Sequence, residues 1–193
     1  MLETTAPLTT ASPSVRGRLK IATTAAHARL DTLAERFDLS TRTAYAEFLS
    51  AHAAVLIPLE QMLAENGVVD LLADWPERSR SSALMRDLDI LRADLRAALV
   101  PSFATEAEMF GVLYVLEGSR LGARVILRAI DENTMNGATH YLRHGGVKLW
   151  PSFLDAMENA PGVAANFPAT LDAALTTFEI FERAFGAELQ AAA

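Results

Sequence analysis

Apolar residues recur every three or four positions along most of the chain, the spacing that places them on one face of an α-helix. The segment from Val15 to Phe37 shows this most clearly, with a stripe made of Leu19, Thr23, Ala26, Leu30, Leu33 and Phe37. Further helices are predicted at about Thr41–Glu65, Ser81–Leu99, Thr105–Asp131, Val147–Asn159 and Pro168–Leu189. We therefore expect an all-α protein of six or seven helices.

Local capping signals mark several of the predicted helix ends. Ser40 is a candidate N-cap for the second helix, and Asn66–Gly67 supplies a glycine where that helix should stop. Thr105 and Glu108 have the spacing of a capping box, which predicts the start of the fourth helix. Residues 133–146 contain two glycine-bearing turn dipeptides, so this segment is predicted to be a loop.

Length and composition narrow the class of protein. A chain of 193 residues suits one domain, and the net charge of −7 argues against nucleic acid as the main partner. There is no cysteine, which excludes disulfides and thiolate chemistry. No apolar stretch approaches the roughly 20 residues that span a bilayer, and residues 1–14 lack the features of a signal peptide. We expect a disordered tail over 1–14, one domain over 15–193, a cytoplasmic location and no membrane partner.

Three glycines inside the predicted fourth helix form the most unusual pattern in the chain. Gly111, Gly118 and Gly122 stand at spacings of seven and four, so a helix places all three on one face. Each interior glycine destabilises a helix by roughly 0.5–1 kcal/mol relative to alanine. Something flat is therefore expected to lie against bare backbone, either a neighbouring helix or a ligand. Taken alone, helix packing explains Gly118 and Gly122 well.

Among the four histidines, His27 has the most suggestive neighbours. It lies at the edge of the apolar stripe of the first helix, with Asp31 one turn later and Lys20 two turns earlier. A carboxylate at i+4 can orient an imidazole that binds a metal, and a lysine about 10 Å along the axis can meet an acidic group of the same ligand. An ordinary surface histidine with an acidic partner fits the same spacing.

The other three histidines carry less information. His52 lies within the apolar stripe of the second helix, so it is predicted to be a hydrogen-bonded core residue. His140 and His144 fall in the predicted loop and are expected to be solvated. The chain has neither a Glu-x-x-His pair for a di-iron bundle nor a G-x-S-x-G nucleophile turn. A bound cofactor would supply the chemistry that these side chains lack.

Two segments together resemble the heme oxygenases, most closely the bacterial enzymes associated with bacteriophytochromes. The first is the pattern A-T-x-x-x-H-x-x-L-D around His27, and the second is Y-V-L-E-G-S-x-L-G from Tyr114 to Gly122. The segment FEIFERAF, residues 178–185, adds a hydrophobic match to the last helix of that family. The resemblance covers most of the chain after residue 14. It implies a multi-helical fold with heme held between a proximal and a distal helix.

The resemblance assigns a role to each matching residue. His27 would bind the heme iron, with Asp31 near its other ring nitrogen and Lys20 facing a heme propionate. Gly118 and Gly122 would bring the backbone of the distal helix close to the open face of the heme. The other positions assigned to this site are Tyr114, Ser119, Ala123 and Arg124.

The same resemblance implies the reaction and its participants. Heme would be both cofactor and substrate, and its ring would be opened by O2 with electrons from an external donor such as a ferredoxin or a flavin reductase. The products would be biliverdin, carbon monoxide and ferrous iron. A bacteriophytochrome would be the partner that receives the biliverdin.

Two positions depart from the commoner family pattern. Ser119 stands where many heme oxygenases have a distal aspartate, so protons would pass through water held by Ser119, backbone carbonyls and Arg124. Ala123 stands where the family often has a second glycine, and its methyl group would press on a packed heme. Additional candidates for propionate contact are Arg16, Arg143 and Lys148. Two alternatives stay open: a heme-binding or heme-sensing protein of the same fold without turnover, and a heme-free helical interaction domain.

Overall fold

The computed structural model describes residues 13–145 and 148–191, and every regular element within those ranges is helical. In chain order the helices are α1 (Val15–Ala34), α2 (Arg42–Glu65), α3 (Val68–Leu71), α4 (Trp75–Arg78), α5 (Ser81–Leu91), α6 (Glu106–Ala129), α7 (His140–Arg143), α8 (Leu149–Asn159), α9 (Pro161–Ala165) and α10 (Phe167–Ala191). Six of them have eleven residues or more, whereas α3, α4, α7 and α9 are single turns. The predicted all-α class is confirmed.

The first residues of the chain are described only in part. Residues 1–12 of the predicted tail lie outside the described residues, so the tail and the domain over 15–193 stay predictions. Ser14 caps α1, because its Oγ accepts a hydrogen bond from the Gly17 N–H at 3.1 Å. No helix in the described parts of the chain combines the length and apolarity needed to cross a membrane.

The N-cap of the second helix lies one residue after the predicted cap. The Ser40 hydroxyl donates to the Asp38 carboxylate at 2.6 Å. Thr41 is the cap instead, with Oγ1 accepting from the Ala44 N–H at 3.3 Å. The C-terminal prediction is confirmed, since Gly67 follows α2 with a φ of 81°.

The third predicted helix, 81–99, is too long. It ends at Leu91 because Arg92 adopts the left-handed conformation, with a φ of 56°. The Ala93 N–H then donates to the Leu88 carbonyl at 3.0 Å, which closes the helix end. Arginine rarely takes this conformation, so no sequence signal marked the stop.

The helix α7 lies inside the predicted loop. The carboxylate of Asp87 on α5 accepts hydrogen bonds from the backbone N–H groups of His140 at 3.0 Å and Tyr141 at 2.7 Å. A buried acid 53 residues earlier in the chain thus satisfies the first turn of α7. The loop prediction fails there because the stabilising partner is remote in sequence.

The long helix α10 runs through the centre of the fold and packs against α1, α2 and α6. The guanidinium of Arg18 lies 3.5 Å from the ring centroid of Phe167, and Arg29 pairs with Glu182 at 2.9 Å. The contact near the start of α1 is made near the start of α10, and the later contact lies further along both helices. The two helices α1 and α10 therefore run in the same direction. The apolar stripe of α1 faces this interior, with Leu19, Thr23 and Ala26 buried as predicted.

The helix α6 also packs along α10. The predicted capping box is present at its start, where Thr105 and Glu108 satisfy each other's backbone N–H groups. Helices α1 and α6 each rest on α10 but have little direct contact with one another. The two helices that carry the sequence motifs are therefore arranged around a common support.

Candidate functional site

His27 projects from α1 with one ring nitrogen engaged. Its Nδ1 lies 2.8 Å from Oδ2 of Asp31, and both side chains are well exposed, at 64% and 60%. The ring also meets Phe178 of α10, with centroids 5.9 Å apart. Because Asp31 and Phe178 restrain the ring while Nδ1 is occupied, Nε2 is the nitrogen left to bind a metal.

Lys20 lies on the same side of α1 as His27. Two turns separate them, which is about 10 Å along the helix axis. The Lys20 side chain is exposed and, among the described residues, its ammonium pairs with no carboxylate. It can therefore meet an acidic group of a ligand bound at His27.

The three glycines of α6 share a face, called here the glycine face, but differ in what that face meets. A Cβ at Gly111 would lie 2.2 Å from the Thr170 carbonyl oxygen and 2.8 Å from the Ala173 Cβ. At Gly118 it would make ordinary contact with the Trp150 ring at 3.9 Å, and at Gly122 it would meet nothing within 4 Å. Helix packing thus requires Gly111 only.

The glycine face becomes apolar and exposed near Gly122. Leu121 and Val125, one residue before and three residues after it, are 44% and 67% exposed. Large exposed apolar side chains beside a bare backbone form a surface suited to a flat apolar ligand.

An aromatic group borders this surface. Tyr114 is half-buried, with its ring 6.2 Å from that of Trp150 between centroids. Trp150 on α8 in turn lies 5.6 Å from Phe153 and lines the glycine face at Gly118. Trp150 was not predicted from the sequence, because α8 carries no part of either motif.

Ser119 faces inward, and its hydroxyl both donates and accepts a hydrogen bond. Its Oγ donates to the Leu116 carbonyl at 2.7 Å and accepts from Nη1 of Arg80 at 3.1 Å. Arg80 is only 1% exposed, and its guanidinium carbon lies 5.1 Å from the ring centroid of Tyr141. Sequence reasoning missed Arg80, since a buried arginine 39 residues from Ser119 has no local signal.

A buried ion network holds the back of α6. The carboxylate of Glu117 binds Nη1 of Arg78 and Nη2 of Arg120, each at 2.8 Å. Arg78 continues to Asp74 at 2.6 Å. Burial, and the positive charge of Arg80, lower the pKa of Arg120 from its ordinary value. Removing one member would leave a buried charge without its partner, so this network fixes the position of the helix.

The structure separates Ala123 and Arg124 from the glycine face. Ala123 is 7% exposed and packs in the apolar core, whereas its neighbour Gly122 is exposed. Arg124 lies about 200° around the helix from Gly122, on the far side of α6. The role suggested for Arg124 in holding water near Ser119 is not supported by this placement, because the two side chains leave the helix about 140° apart.

The remaining histidines differ from one another. The Nδ1–H of His52 donates to the Phe48 carbonyl at 2.9 Å, and burial lowers the pKa of His52 to about 4, which agrees with a core role. His140 is not solvated as expected, since its Nδ1 lies 2.6 Å from the buried Asp87 carboxylate. The Nδ1 of His144 is buried as well.

The other candidate propionate partners, Arg16, Arg143 and Lys148, stay predictions. Arg16 is exposed at the start of α1, where its backbone N–H donates to Glu158 at 2.9 Å. Arg143 pairs with the Glu132 carboxylate. Lys148 is exposed just before α8.

Relatives with established names share most of this chain. The family model for heme oxygenase matches residues 14–187. A heme oxygenase of Xanthomonas campestris pv. campestris (strain 8004) is 32% identical over 148 residues, which is 75% of this chain and 90% of that protein. The heme oxygenase PigA of Pseudomonas aeruginosa is 27% identical over 168 residues, covering 81% of this chain and 84% of PigA.

A comparison of the fold with solved structures agrees with the family match. A crystal structure of NO- and CO-bound heme oxygenase from Neisseria meningitidis matches with a TM-score of 0.72 and 21% identity, over 91% of this chain and 94% of that one. The architecture is therefore the all-α fold of that enzyme. With the family model matching nearly the whole chain, this protein belongs to the heme oxygenase family.

Proposed function

We propose that this heme oxygenase binds heme between α1 and α6 and opens its ring to biliverdin, releasing carbon monoxide and ferrous iron. The observation that carries the site is the open space at Gly122, where a Cβ would meet no atom of another described element within 4 Å. A glycine that packing does not require, on an apolar exposed face, is explained by a flat ligand that approaches the backbone.

The residues present fit heme on both sides. On α1, the Nδ1–H of His27 donates to Asp31, so Nε2 keeps a lone pair for the iron. On α6, Gly118 and Gly122 leave the helix surface flat, and Leu121 and Val125 offer apolar contact. Bound heme supplies an iron centre that activates O2, with electrons from an external donor.

The chain's own groups control what surrounds the ligand. The backbone at Gly118 and Gly122 would limit the space on the distal side of a heme held there, because neither residue has a side chain. A serine hydroxyl has one donor and two acceptor sites, and Ser119 spends its donor on Leu116 and one acceptor on Arg80. The Tyr141 hydroxyl also approaches Ser119, so a water on the ligand side would share the Ser119 oxygen with Tyr141 and Arg80. Ser119 thus replaces the distal aspartate as a water-positioning group.

Further participants follow from this chemistry. Lys20 neutralises a heme propionate, and Tyr114 borders the ligand beside Trp150. A ferredoxin or a flavin reductase supplies electrons in a cytoplasmic location, and a bacteriophytochrome receives the biliverdin. These assignments rest on the family and on the exposed position of Lys20.

Hemin titration followed by aerobic reduction tests the proposal. Wild-type protein should give a Soret band that decays to a biliverdin spectrum when a reductant is added with catalase present. His27→Ala should lose the histidine-ligated spectrum and the turnover. His140→Gln is the matched control, because His140 also pairs with an aspartate but lies away from α1.

The alternatives predict different optical results. A heme spectrum that persists under reductant and air, with no bilin, would identify a heme-binding or heme-sensing protein without turnover. A spectrum that stays that of free hemin, with no histidine-ligated Soret band, would identify a heme-free helical interaction domain. Either outcome overturns the proposed activity.

A further inference from the structure

A cavity of about 330 Å³ lies on the side of α6 that faces away from Gly122. We call it the rear cavity, and its lining includes Arg120, Arg124, Leu127, Leu142, Arg143 and His144. Successive residues of an α-helix are about 100° apart, so Arg120 and Arg124 each lie about 200° from Gly122. The rear cavity and the proposed heme face are therefore on opposite sides of the same helix.

The lining of the rear cavity is cationic although the whole chain carries a net charge of −7. Three guanidinium groups line it, and none of the described lining residues carries a carboxylate. Arg120 pairs with Glu117, and Arg143 with Glu132. Among the described residues, the Arg124 guanidinium has no acidic partner. A cluster of cations with one member uncompensated attracts anions.

His144 adds a polar atom that the protein leaves unused. Its Nδ1 is buried and, within the described part of the chain, has no hydrogen-bond partner. Burial, followed by the charges of Arg120 and Arg80, lowers the pKa of His144 from its ordinary 6.5, so the ring is neutral at pH 7. A neutral imidazole can present an N–H to a ligand oxygen. Buried polar atoms without partners are uncommon and point to a missing ligand.

We propose that the rear cavity binds a small oxyanion, a phosphate or a carboxylate, through the guanidinium groups of Arg124 and Arg143, with His144 beside them in the lining. Guanidinium groups match such oxygens because they can donate two parallel hydrogen bonds. The volume limits the ligand to a small one, since ligand pockets span about 300–1,000 Å³. Leu127 and Leu142 provide apolar walls for a short carbon chain.

Calorimetric titration of the full chain with inorganic phosphate, and separately with succinate, tests this inference at constant ionic strength. Comparing the two probes distinguishes a phosphate site from a carboxylate site. Saturable binding of at least one probe is expected. Arg124→Gln should weaken that binding about tenfold or more, as loss of a charge-assisted hydrogen bond does. Arg128→Gln is the matched control, because Arg128 is an exposed arginine of α6 outside the cavity lining.

A second measurement reports on the rear cavity itself and does not depend on whether Arg124→Gln folds correctly. The ¹⁵N resonance of the His144 ring should shift on phosphate or succinate addition in wild-type protein and in Arg128→Gln. Binding that is absent, or equally weakened by Arg124→Gln and Arg128→Gln, overturns the proposal. Hemin loading should leave the affinity of the probe unchanged, and competition between hemin and the probe would overturn the separation of the rear cavity from the heme face. A protein that binds the probe but not hemin would contradict the proposed function alone.

Discussion

Gly111 and Gly122 lie on the same face of one helix, but the region around Gly111 is closely packed and the region around Gly122 is open. Around Gly111, α6 is pressed against the backbone of α10, and a methyl group would overlap the Thr170 carbonyl oxygen at 2.2 Å. Around Gly122 the face is open and bordered by exposed apolar side chains. The packed region needs glycine for the fold, whereas the open region has a glycine that the protein itself does not need.

This difference decides between the two interpretations of the glycine pattern. Small-residue packing is the correct account of Gly111, which lies outside the motif from Tyr114 to Gly122. A ligand is the better account of Gly122, since no helix covers it. Gly118 is intermediate, because only the Trp150 ring approaches it, at 3.9 Å.

The largest expected effect is in the packed region. Gly111→Ala should lower the free energy of unfolding by roughly 3–4 kcal/mol, because the added methyl group meets backbone atoms of α10 that can yield only by moving the helix. Urea unfolding followed by circular dichroism measures the change. A variant as stable as wild type would show that α6 and α10 are not in close contact at this point.

His52, which packs between α2 and the later part of α10, should produce the next effect, through pH. Burial lowers the pKa of His52 to about 4, so the folded state resists a proton that the unfolded state accepts below its ordinary pKa of 6.5. Stability is fully present above pH 6.5 and falls as the pH decreases toward 4, by about 3 kcal/mol in total from this group.

Urea unfolding of wild type and His52→Leu at pH 7 and at pH 4.5 isolates this contribution. Other groups titrate in both proteins, so the difference between their pH dependences belongs to His52. Parallel pH dependences in the two proteins would contradict a buried, neutral His52.

In the open region a large side chain should affect the ligand and spare the fold. Gly122→Leu should weaken hemin binding about tenfold, equivalent to about 1.4 kcal/mol, because its side chain occupies the space above the backbone. Its free energy of unfolding without hemin should not fall. Hemin titration and urea unfolding measure the two quantities.

The control for that variant is Gly186→Leu, since a Cβ at Gly186 on α10 also meets nothing within 4 Å. It should leave hemin affinity unchanged. Equal loss of affinity in both variants would mean that the effect at Gly122 is not local to the glycine face.

The smallest effect has the opposite sign from the first. Gly122→Ala should raise the stability of the heme-free protein by roughly 0.5–1 kcal/mol, because alanine favours the helix and meets no steric obstacle. Thermal unfolding beside Gly111→Ala measures it. A loss of stability would show that the open region is covered by a part of the protein.

Much of the fold was predictable because its signals are local. The stripe of α1, the capping box at Thr105, and the stop at Gly67 each depend on residues within one or two turns of each other. The end of α5 and the existence of α7 were not, since an arginine in a left-handed conformation and a remote carboxylate determine them.

The candidate site divides in the same way. The pairing of His27 with Asp31 follows from an i,i+4 spacing and is present at 2.8 Å. Arg80 and Trp150 could not be predicted, because chain segments far away in sequence bring them to Ser119 and Gly118. The inward position of Ala123, beside the exposed Gly122, also depends on which face of α6 meets the core.

Spacing along the chain by itself determined most of the long helices, their apolar faces, the shared face of the three glycines and the family motifs around His27 and Gly118. Only the tertiary structure decided which glycine is packed and which is open, what anchors Ser119, and that a cationic cavity lies behind α6. The physical reason is range. Helical periodicity acts over four to seven residues, whereas steric contact, burial and charge pairing act across space between segments that the sequence keeps far apart.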